Sequence, residues 1–484
     1  MSKEIKKGES PNILIIITDD QGYADLSAYN HAAEDVHTPN MDRIAREGVL
    51  FTQAYVTAPV CSPSRAGWNT GLYQQRWDPN AGWNPGLPQH VKTIAEHLKE
   101  AGYITGKVGK NDYGANFHKL TVREYPLNHG FDEFLGFSSH AHDYFLLSEE
   151  IERRTPDPYG HSAALGRLFL NRGYISFSDA YTTEIFTDWA IDFLERHREE
   201  PFFLTVSYNS VHHLIHEVPE KYLEKFDVEP IPNYDPDTMG KYEDYYRRYC
   251  HVGEAIGDEE MRRYYLANLN CLDDNIGRIL DALNRLGLDD NTLLIFFSDN
   301  GGSPNTGADN RPLRGSKYLL WEGGIRIPFM MRWPERLPKG KIYPYRISTL
   351  DILPTCLEAV GLDIPPRLDG KNILKSVEEG TPSPTSKKPM FWRWKDQFAV
   401  IEGTWKLVRT NEAPGYPPSS RFLGGPPTSN RPQLFNLKDD LSEQHDLYDE
   451  YPEIAKRLMK LYQKWHSQMK LETSRENPPN QKVI

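Results

Sequence analysis

Hydrophobic residues along this chain follow two rhythms, and the alternation between them predicts the fold. Uninterrupted apolar runs rich in Ile, Leu, Val and Phe occur in NILIIITDD at 12–20, GYITGKVGK at 102–110, PFFLTVSYNS at 201–210 and NTLLIFFSDNGG at 291–302. Each run breaks into polar residues, the pattern of a strand buried on both faces that ends in a turning loop. Segments 41–47 and 91–101 instead space their apolar residues as one helix face and stop at Gly48 and Gly102. Strands alternating with helices predict an α/β fold: a large mixed, mostly parallel sheet flanked by helices.

Two stretches break the alternation, an aromatic, His-rich segment at 138–180 and a Tyr/Asp-rich segment at 226–260. They read as insertions over the sheet edge that wall a pocket. Near residue 375 the texture changes again, with SVEEGTPSPTSKKP as a polar, Pro-containing linker. Beyond it MFWRWK, FAVIEG and WKLVRT predict strands, 414–432 is a Pro/Gly-rich loop, and 452–469 predicts a helix. In that helix Ile454, Leu458, Leu461, Tyr462, Trp465 and Met469 form a packing stripe. The expected division is a catalytic domain at 1–375 and a smaller α+β domain at 376–484.

At 484 residues, 38% of them hydrophobic and 26% charged, the chain can bury one large core and a smaller one. A formal net charge of −12 excludes a surface built for nucleic acid, which needs a basic footprint. An anionic substrate must then be attracted locally. Cys61, Cys250, Cys271 and Cys356 are far apart and form no CxxC pair, so neither a disulfide framework nor a zinc knuckle is expected. The apolar run at 13–17 is too short to cross a bilayer, and MSKEIKKGESPN holds no apolar signal core. The expectation is no membrane span, with a cytoplasmic location, or a periplasmic or secreted one where a leader has been removed.

Asp19 and Asp20 follow one apolar run, and Asp299 and Asn300 follow another. Both pairs fall at carboxyl ends of predicted strands, where open α/β sheets place ligands. Hard oxygen donors without a tight Cys or His cluster suit calcium or magnesium better than zinc. Each pair alone is equally the composition of a strand-closing turn; two in one chain favour a metal. Cys61 opens CSPSRAGWNTG, where Pro63 stiffens a turn and a helix begins, so residue 61 sits near a helix N-terminus that favours an anion. Arg65 can make a charge-assisted contact to an oxyanion. By spacing alone, however, a lone cysteine reads first as a small buried hydrophobe.

Together these residues resemble the type I sulfatases of the alkaline phosphatase superfamily. The specific part is C-x-P-S-R at 61–65 followed by Thr70-Gly71. PNILIIITDDQG, HTPNMDRIAREGVLF, GYITGKVGK, HGFDEFLGF, SYNSVHH, FFSDNGG, NRPLRGSK with WEGGIRIP, and LFNLKDDLSEQHDL also look like family segments, in family order, over nearly the whole chain. The resemblance implies that a formylglycine-generating maturation enzyme oxidises Cys61 to formylglycine. One hydroxyl of the hydrated aldehyde then attacks sulfur and the other expels sulfate. It implies that Asp19, Asp20, Asp299 and Asn300 bind Ca2+, with Mg2+ or Mn2+ as weaker candidates, against nucleophile and sulfate. Lys110 in GKVGK and Lys317 in LRGSK resemble the sulfate-binding lysines, and His212 in SYNSVHH the histidine that protonates the leaving alcohol. Without the resemblance the lysines would read as solvated surface groups and the histidine as a structural hydrogen-bonder. His213 leaves that register open by one residue.

One departure stands out. After the first lysine the family usually continues Trp-His-Leu-Gly, whereas Asn111, Asp112, Tyr113 and Gly114 follow here. Asp112 thus occupies the place of a histidine that helps orient the nucleophile, and a carboxylate donates no proton unless its pKa is raised. It would act as an acceptor or base, or His118 would compensate. Trp68 and Asn69 are milder changes that leave the C-x-P-S-R core intact.

The expected activity is hydrolysis of a sulfate ester, with a sulfated carbohydrate of a polysaccharide or glycosaminoglycan as substrate. Trp77, Trp83, His140, His142 and Tyr144 lie in or near the pocket segments and can stack on sugar faces or bond hydroxyls, with His142 assigned to substrate binding. Aromatic residues at this density also simply pack loops. A phosphonate monoester or phosphodiester hydrolase of the same superfamily keeps C-x-P-S-R too, and a catalytically silent sulfated-glycan-binding protein would accommodate Asp112. The likeness of LFNLKDDLSEQHDL to carbohydrate sulfatases argues against the first, and the joint presence of Cys61, Pro63 and Arg65 against the second.

Overall fold

The computed structural model describes residues 10–78, 81–114, 120–155, 168–175, 177, 180–250, 256–303, 305–410 and 431–476. Among them one sheet of 11 strands runs in the order β10 (Lys341–Tyr343), β2 (Val49–Tyr55), β9 (Arg326–Arg332), β8 (Thr292–Ser298), β1 (Asn12–Thr18), β7 (Phe202–Ser207), β3 (Ile104–Lys110), β4 (Glu133–Phe137), β5 (Leu168–Leu170) and β6 (Gly173–Ile175), with the short β11 (Ile347–Ser348) beside β2. From β8 through β4 every neighbouring pair is parallel. The β9 strand is antiparallel to both β8 and β2, and β5–β6 form an antiparallel hairpin at the far edge.

The apolar runs are explained by double burial. In β1 the side chains of Ile13, Ile15 and Ile17 enter the core on one sheet face, while Leu14 and Ile16 enter the core on the other. With both faces covered, no polar residue is called for at alternate positions. Helix α1 (Pro39–Glu47) buries Met41, Ile44 and Ala45 on one side, and the helices Thr182–Arg196 and Asp258–Arg285 cover the same face. The latter begins inside the segment read as an insertion. Helix α2 (Cys61–Thr70) is buried at every position. The helix predicted over 91–101 starts later, as α3 (Ile94–Glu100), because Thr93 caps it. Thr93 Oγ1 accepts the Glu96 N–H at 3.2 Å, and Glu96 Oε2 accepts the Thr93 N–H at 2.9 Å.

A second, antiparallel sheet follows, in the order β12 (Met390–Trp394), β13 (Gln397–Glu402), β14 (Trp405–Arg409) and β15 (Gln433–Asn436). Its period-two alternation points two ways. Trp392, Ala399, Ile401, Val408 and Phe435 join the core of the large sheet, whereas Phe398, Val400, Leu407 and Leu434 pack under the helix Pro452–Glu476. Ala455, Leu458, Tyr462, Trp465 and Met469 of that helix supply the facing stripe. A buried ion cluster adds to the joint: Lys406 Nζ on β14 lies 2.9 Å from Glu322 Oε1 and 2.8 Å from Glu443 Oε1. The predicted loop at 414–432 falls almost wholly outside the described residues. No helix among them is long and apolar enough to cross a membrane.

Candidate active site

Strand register brings the acidic pairs together. Adjacent β1 and β8 pair Thr18 with Ser298, so Asp19–Asp20 and Asp299–Asn300 leave the sheet side by side. Asp20 takes a left-handed φ of 59°, which an aspartate tolerates in a tight turn, and its N–H donates to Asp299 Oδ1 at 3.3 Å. The loop after β7 is bonded back onto Asp19: the Asp19 N–H donates to Ser210 O and the Val211 N–H to Asp19 O, each at 2.9 Å. That bracket places His212. Gly109, just before Lys110 at the end of β3, has φ 94°, and a Cβ there would lie 2.0 Å from Ser207 O. Only glycine admits this approach of β3 to β7. Cys61 is the first residue of α2, at the positive end of that helix's dipole.

The side chains interlock. Cys61 Sγ donates to Asp19 Oδ1 at 3.5 Å, and single ligand atoms of Asp19, Asp20, Cys61 and His212 all lie within 4.8 Å of one another. Arg65 donates through Nε to Asp299 Oδ2 at 2.9 Å, and one terminal nitrogen is ion-paired with the same oxygen at 2.8 Å. Its other terminal nitrogen donates to Ser207 Oγ at 2.6 Å. Lys110 Nζ donates to Asp19 Oδ2 at 2.6 Å, and Lys317 Nζ to Asp20 Oδ2 at 2.7 Å. His212 Nε2 is 3.0 Å from Lys317 Nζ and 3.5 Å from Asp20 Oδ2. Asp112 Oδ1 accepts the Ser62 hydroxyl at 2.5 Å, and Oδ2 is 3.4 Å from Lys110 Nζ.

Four carboxylates and three cations are therefore packed together, all of them buried. Burial, with Asp299 adding, lifts the Asp19 carboxyl to about 8 against the pull of Lys110 and Arg65. Burial raises Asp20 as well, opposed by Lys317. At Asp299 burial is outweighed by Arg65, Lys110 and Lys317, which hold it below the usual carboxylate range. Burial would lower Lys110 and Lys317, but Asp19 and Asp20 respectively keep them above the ordinary lysine value. Burial and Lys317 hold His212 well below its ordinary value. The Cys61 thiol is pushed well up by burial and by Asp299, so an unmodified Cys61 stays a neutral thiol, the unreactive form.

Above this cluster opens a cavity of about 470 Å³ whose lining includes Cys61, Asp112, His140, His212, Lys317 and Tyr318. The comparisons agree with the geometry. The sulfatase family model matches residues 11–362, and the model described as N-sulphoglucosamine sulphohydrolase, C-terminal, matches residues 316–416. Arylsulfatase J of Mus musculus is 30% identical over 93% of this chain and 75% of its own length. This chain belongs to the sulfatase family. The sulfatase is accordingly a sulfuric ester hydrolase with the alkaline phosphatase-like fold. N-acetylgalactosamine-6-sulfatase of Canis lupus familiaris is 30% identical over 82% of this chain and 71% of its own. Among solved structures, Ps i-CgsB in complex with k-i-k-neocarrahexaose superposes with a TM-score of 0.76 at 26% identity over 98% of both chains.

Several residues fall elsewhere in the sulfatase than their motifs suggest. His142 does not line the cavity: its ring lies 4.9 Å from that of Phe137 and its Nδ1 is 3.0 Å from Asp143 O, because the chain turns inward after His140. His140 takes the lining position. Trp77 and Tyr144 are buried in packing, with the Trp77 Nε1–H donating to Pro85 O at 3.1 Å and the Tyr144 hydroxyl to Asn209 O at 2.8 Å. His213 turns to Tyr246, with Nδ1 3.1 Å from the phenol oxygen. Tyr246 lines the cavity from the Tyr/Asp-rich segment read as a pocket wall, whereas the one signal for Ser207 was its place at the end of a predicted strand. His118 lies outside the described residues. Cys61, Cys271 and Cys356 are free thiols.

Proposed function

We propose that this sulfatase hydrolyses a sulfate ester on a sugar of a polysaccharide or glycosaminoglycan, after a maturation enzyme has converted Cys61 to formylglycine, with a calcium ion beside that residue. The observation that carries the reading is the convergence of Cys61 with Asp19, Asp20 and Asp299 and with Arg65, Lys110 and Lys317 at the floor of one cavity. Sugar as the substrate class is supported by the N-acetylgalactosamine-6-sulfatases among the relatives and by the neocarrahexaose complex of a structural relative.

Asp19, Asp20, Asp299 and Asn300 would hold the cation. They fit it: every donor is an oxygen, all four residues are buried, and Asn300 Oδ1 is a buried acceptor with no hydrogen-bond partner. When bound, the cation offsets the negative charge on nucleophile and sulfate. The chain's own groups supply the rest. Arg65, braced by Asp299 and Ser207, fixes the acidic floor. Lys110 and Lys317 reach in from the Asp19 side and the Asp20 side, so their ammonium groups offer donors to sulfate oxygens from two directions. His212 lies with Nε2 beside the Lys317 ammonium and is held neutral by burial and by that lysine; an anionic sulfate ester bound beside the ring would favour its protonated form, which then passes its proton to the departing sugar oxygen. Asp112 acts as an acceptor that positions Ser62 and Lys110.

Two measurements test this: the mass of the peptide containing residue 61 after maturation, and sulfate release from sulfated monosaccharides and an aryl sulfate. The peptide should be lighter by the difference between CH2SH and CHO, and release should vanish in Cys61→Ala. A matured sample that keeps the thiol and binds sulfated sugar without releasing sulfate would replace the reading with a silent glycan-binding protein. Faster cleavage of matched phosphonate or phosphate diesters would replace it with the other hydrolase.

A further inference from the structure

The cavity does not end at the catalytic floor. At its mouth stands Trp83, which lines the same cavity as Cys61 yet remains 44% exposed, although a free tryptophan face in water is unfavourable. Its orientation is fixed by Trp394, edge-on at 5.4 Å between centroids, and by Tyr318, tilted at 5.6 Å. Trp394 is the last residue of β12, and the next residues, Lys395 and Asp396, form the turn to β13. That turn is anchored on both sides: the Lys395 N–H donates to Ala81 O at 2.9 Å, Gln75 Nε2 to Arg393 O at 2.7 Å, and Gln397 Nε2 to Tyr318 O at 2.9 Å. The exposed Lys395 ammonium stands 5.1 Å from the Trp83 centroid and 4.8 Å from that of Trp394. Among the described residues no carboxylate pairs with it, whereas Lys110 and Lys317 on the floor are each paired.

From this arrangement we propose a second sugar subsite, built by Trp83 and Lys395, that holds the unit next to the one carrying the scissile sulfate and selects for an anionic substituent on it. The inference rests on the sugar-sulfatase reading above. A sugar ring presents an apolar C–H face that packs on an aromatic surface, and Trp83 offers such a surface already locked in place, so little ordering is required on binding. In a chain of net charge −12, a cation beside the cavity mouth with no carboxylate partner among the described residues attracts a neighbouring carboxylate or sulfate ester. The small sheet then takes part in substrate choice through its first hairpin.

The experiment compares kcat/KM for a sulfated monosaccharide with that for disaccharides whose added unit is neutral, carries a carboxylate, or carries a second sulfate ester. The native enzyme should favour the added unit about tenfold, most strongly when it is anionic. W83A should remove the gain from every added unit. K395A should remove only the anionic part, about threefold, together with its sensitivity to salt, and K395R should restore it. The carboxylate and sulfate arms identify which anion is preferred. An added unit that brings no gain in the native enzyme, or variants that lower monosaccharide and disaccharide rates by the same factor, would overturn the subsite while leaving the sugar-sulfatase reading in place. Cleavage of aryl sulfate alone, with no sulfated sugar cleaved, would end both.

Discussion

Arg65 holds together parts of the site that are far apart in sequence. Its guanidinium spans Asp299, Ser207 and the backbone carbonyl of Lys110, so its planar fork, as much as its charge, sets the floor geometry. Arg65→Lys keeps the charge but cannot reproduce the fork, and kcat/KM is expected to fall about a hundredfold while the fold is retained, as steady-state kinetics and circular dichroism would show. The orphaned Asn300 Oδ1 and the three buried carboxylates lead to a second expectation. Chelation with EGTA should abolish sulfate release and lower the Tm, and calcium should restore both better than magnesium, since a site of converging carboxylates suits the larger ion. A Tm indifferent to chelation would count against a metal at these residues. At this scale the sequence already singled out residues that the fold brings together, through C-x-P-S-R and the acidic pairs. It could not point to Ser207, because a serine acquires its role only from the neighbours that folding supplies.

Among the elements, β14 carries the least expected feature, a lysine on a strand whose neighbours are apolar. Lys406 is fully buried between Glu322 and Glu443, and the Tyr55 hydroxyl and Arg326 also face Glu322. Lys406→Met would leave two buried carboxylates without their shared cation, a loss of about 3–5 kcal/mol that a urea midpoint would register. Burial, with Glu322 adding and Lys406 opposing, raises the Glu443 carboxyl to about 7, above its unfolded value. The folded protein therefore binds a proton here that the unfolded chain gives up. Stability from this group is complete below the unfolded value and is lost as pH rises through about 7. Glu443→Gln should remove that share of the pH dependence, measured as the change in urea midpoint between mildly acidic and mildly alkaline buffer. Local patterning located β12, β13 and β14 but not β15. A four-residue strand has too few positions to display a period, and its existence follows from the edge that β14 presents to it.

For the molecule as a whole, the two sheets share a core. The inner face of the small sheet, through Trp392, Ile401 and Phe435, completes the apolar layer that contains Ile325, Leu353 and Leu357 of the large body. Cutting the chain after residue 375, the boundary at which we propose the two domains divide, would expose that layer together with the buried Glu322. The product is expected to aggregate and to show no sulfatase activity, whereas a stable, monomeric, active fragment in size-exclusion chromatography would show that the units fold independently. Periodicity and motif were sufficient to read the α/β class, the strand ends that carry Asp19 and Asp299, and the place of Cys61 at the start of a helix. These are properties of local stretches, in which side-chain alternation records burial on one or both faces. Pairings across the chain were beyond that reading. Arg65 meets Asp299 across 234 residues, His140 rather than His142 faces the cavity, and Trp83 meets Lys395 at its mouth. Each depends on the order in which strands enter the sheet and on how loops turn over its edge, and that order arises from competition among non-local contacts that no window of sequence contains.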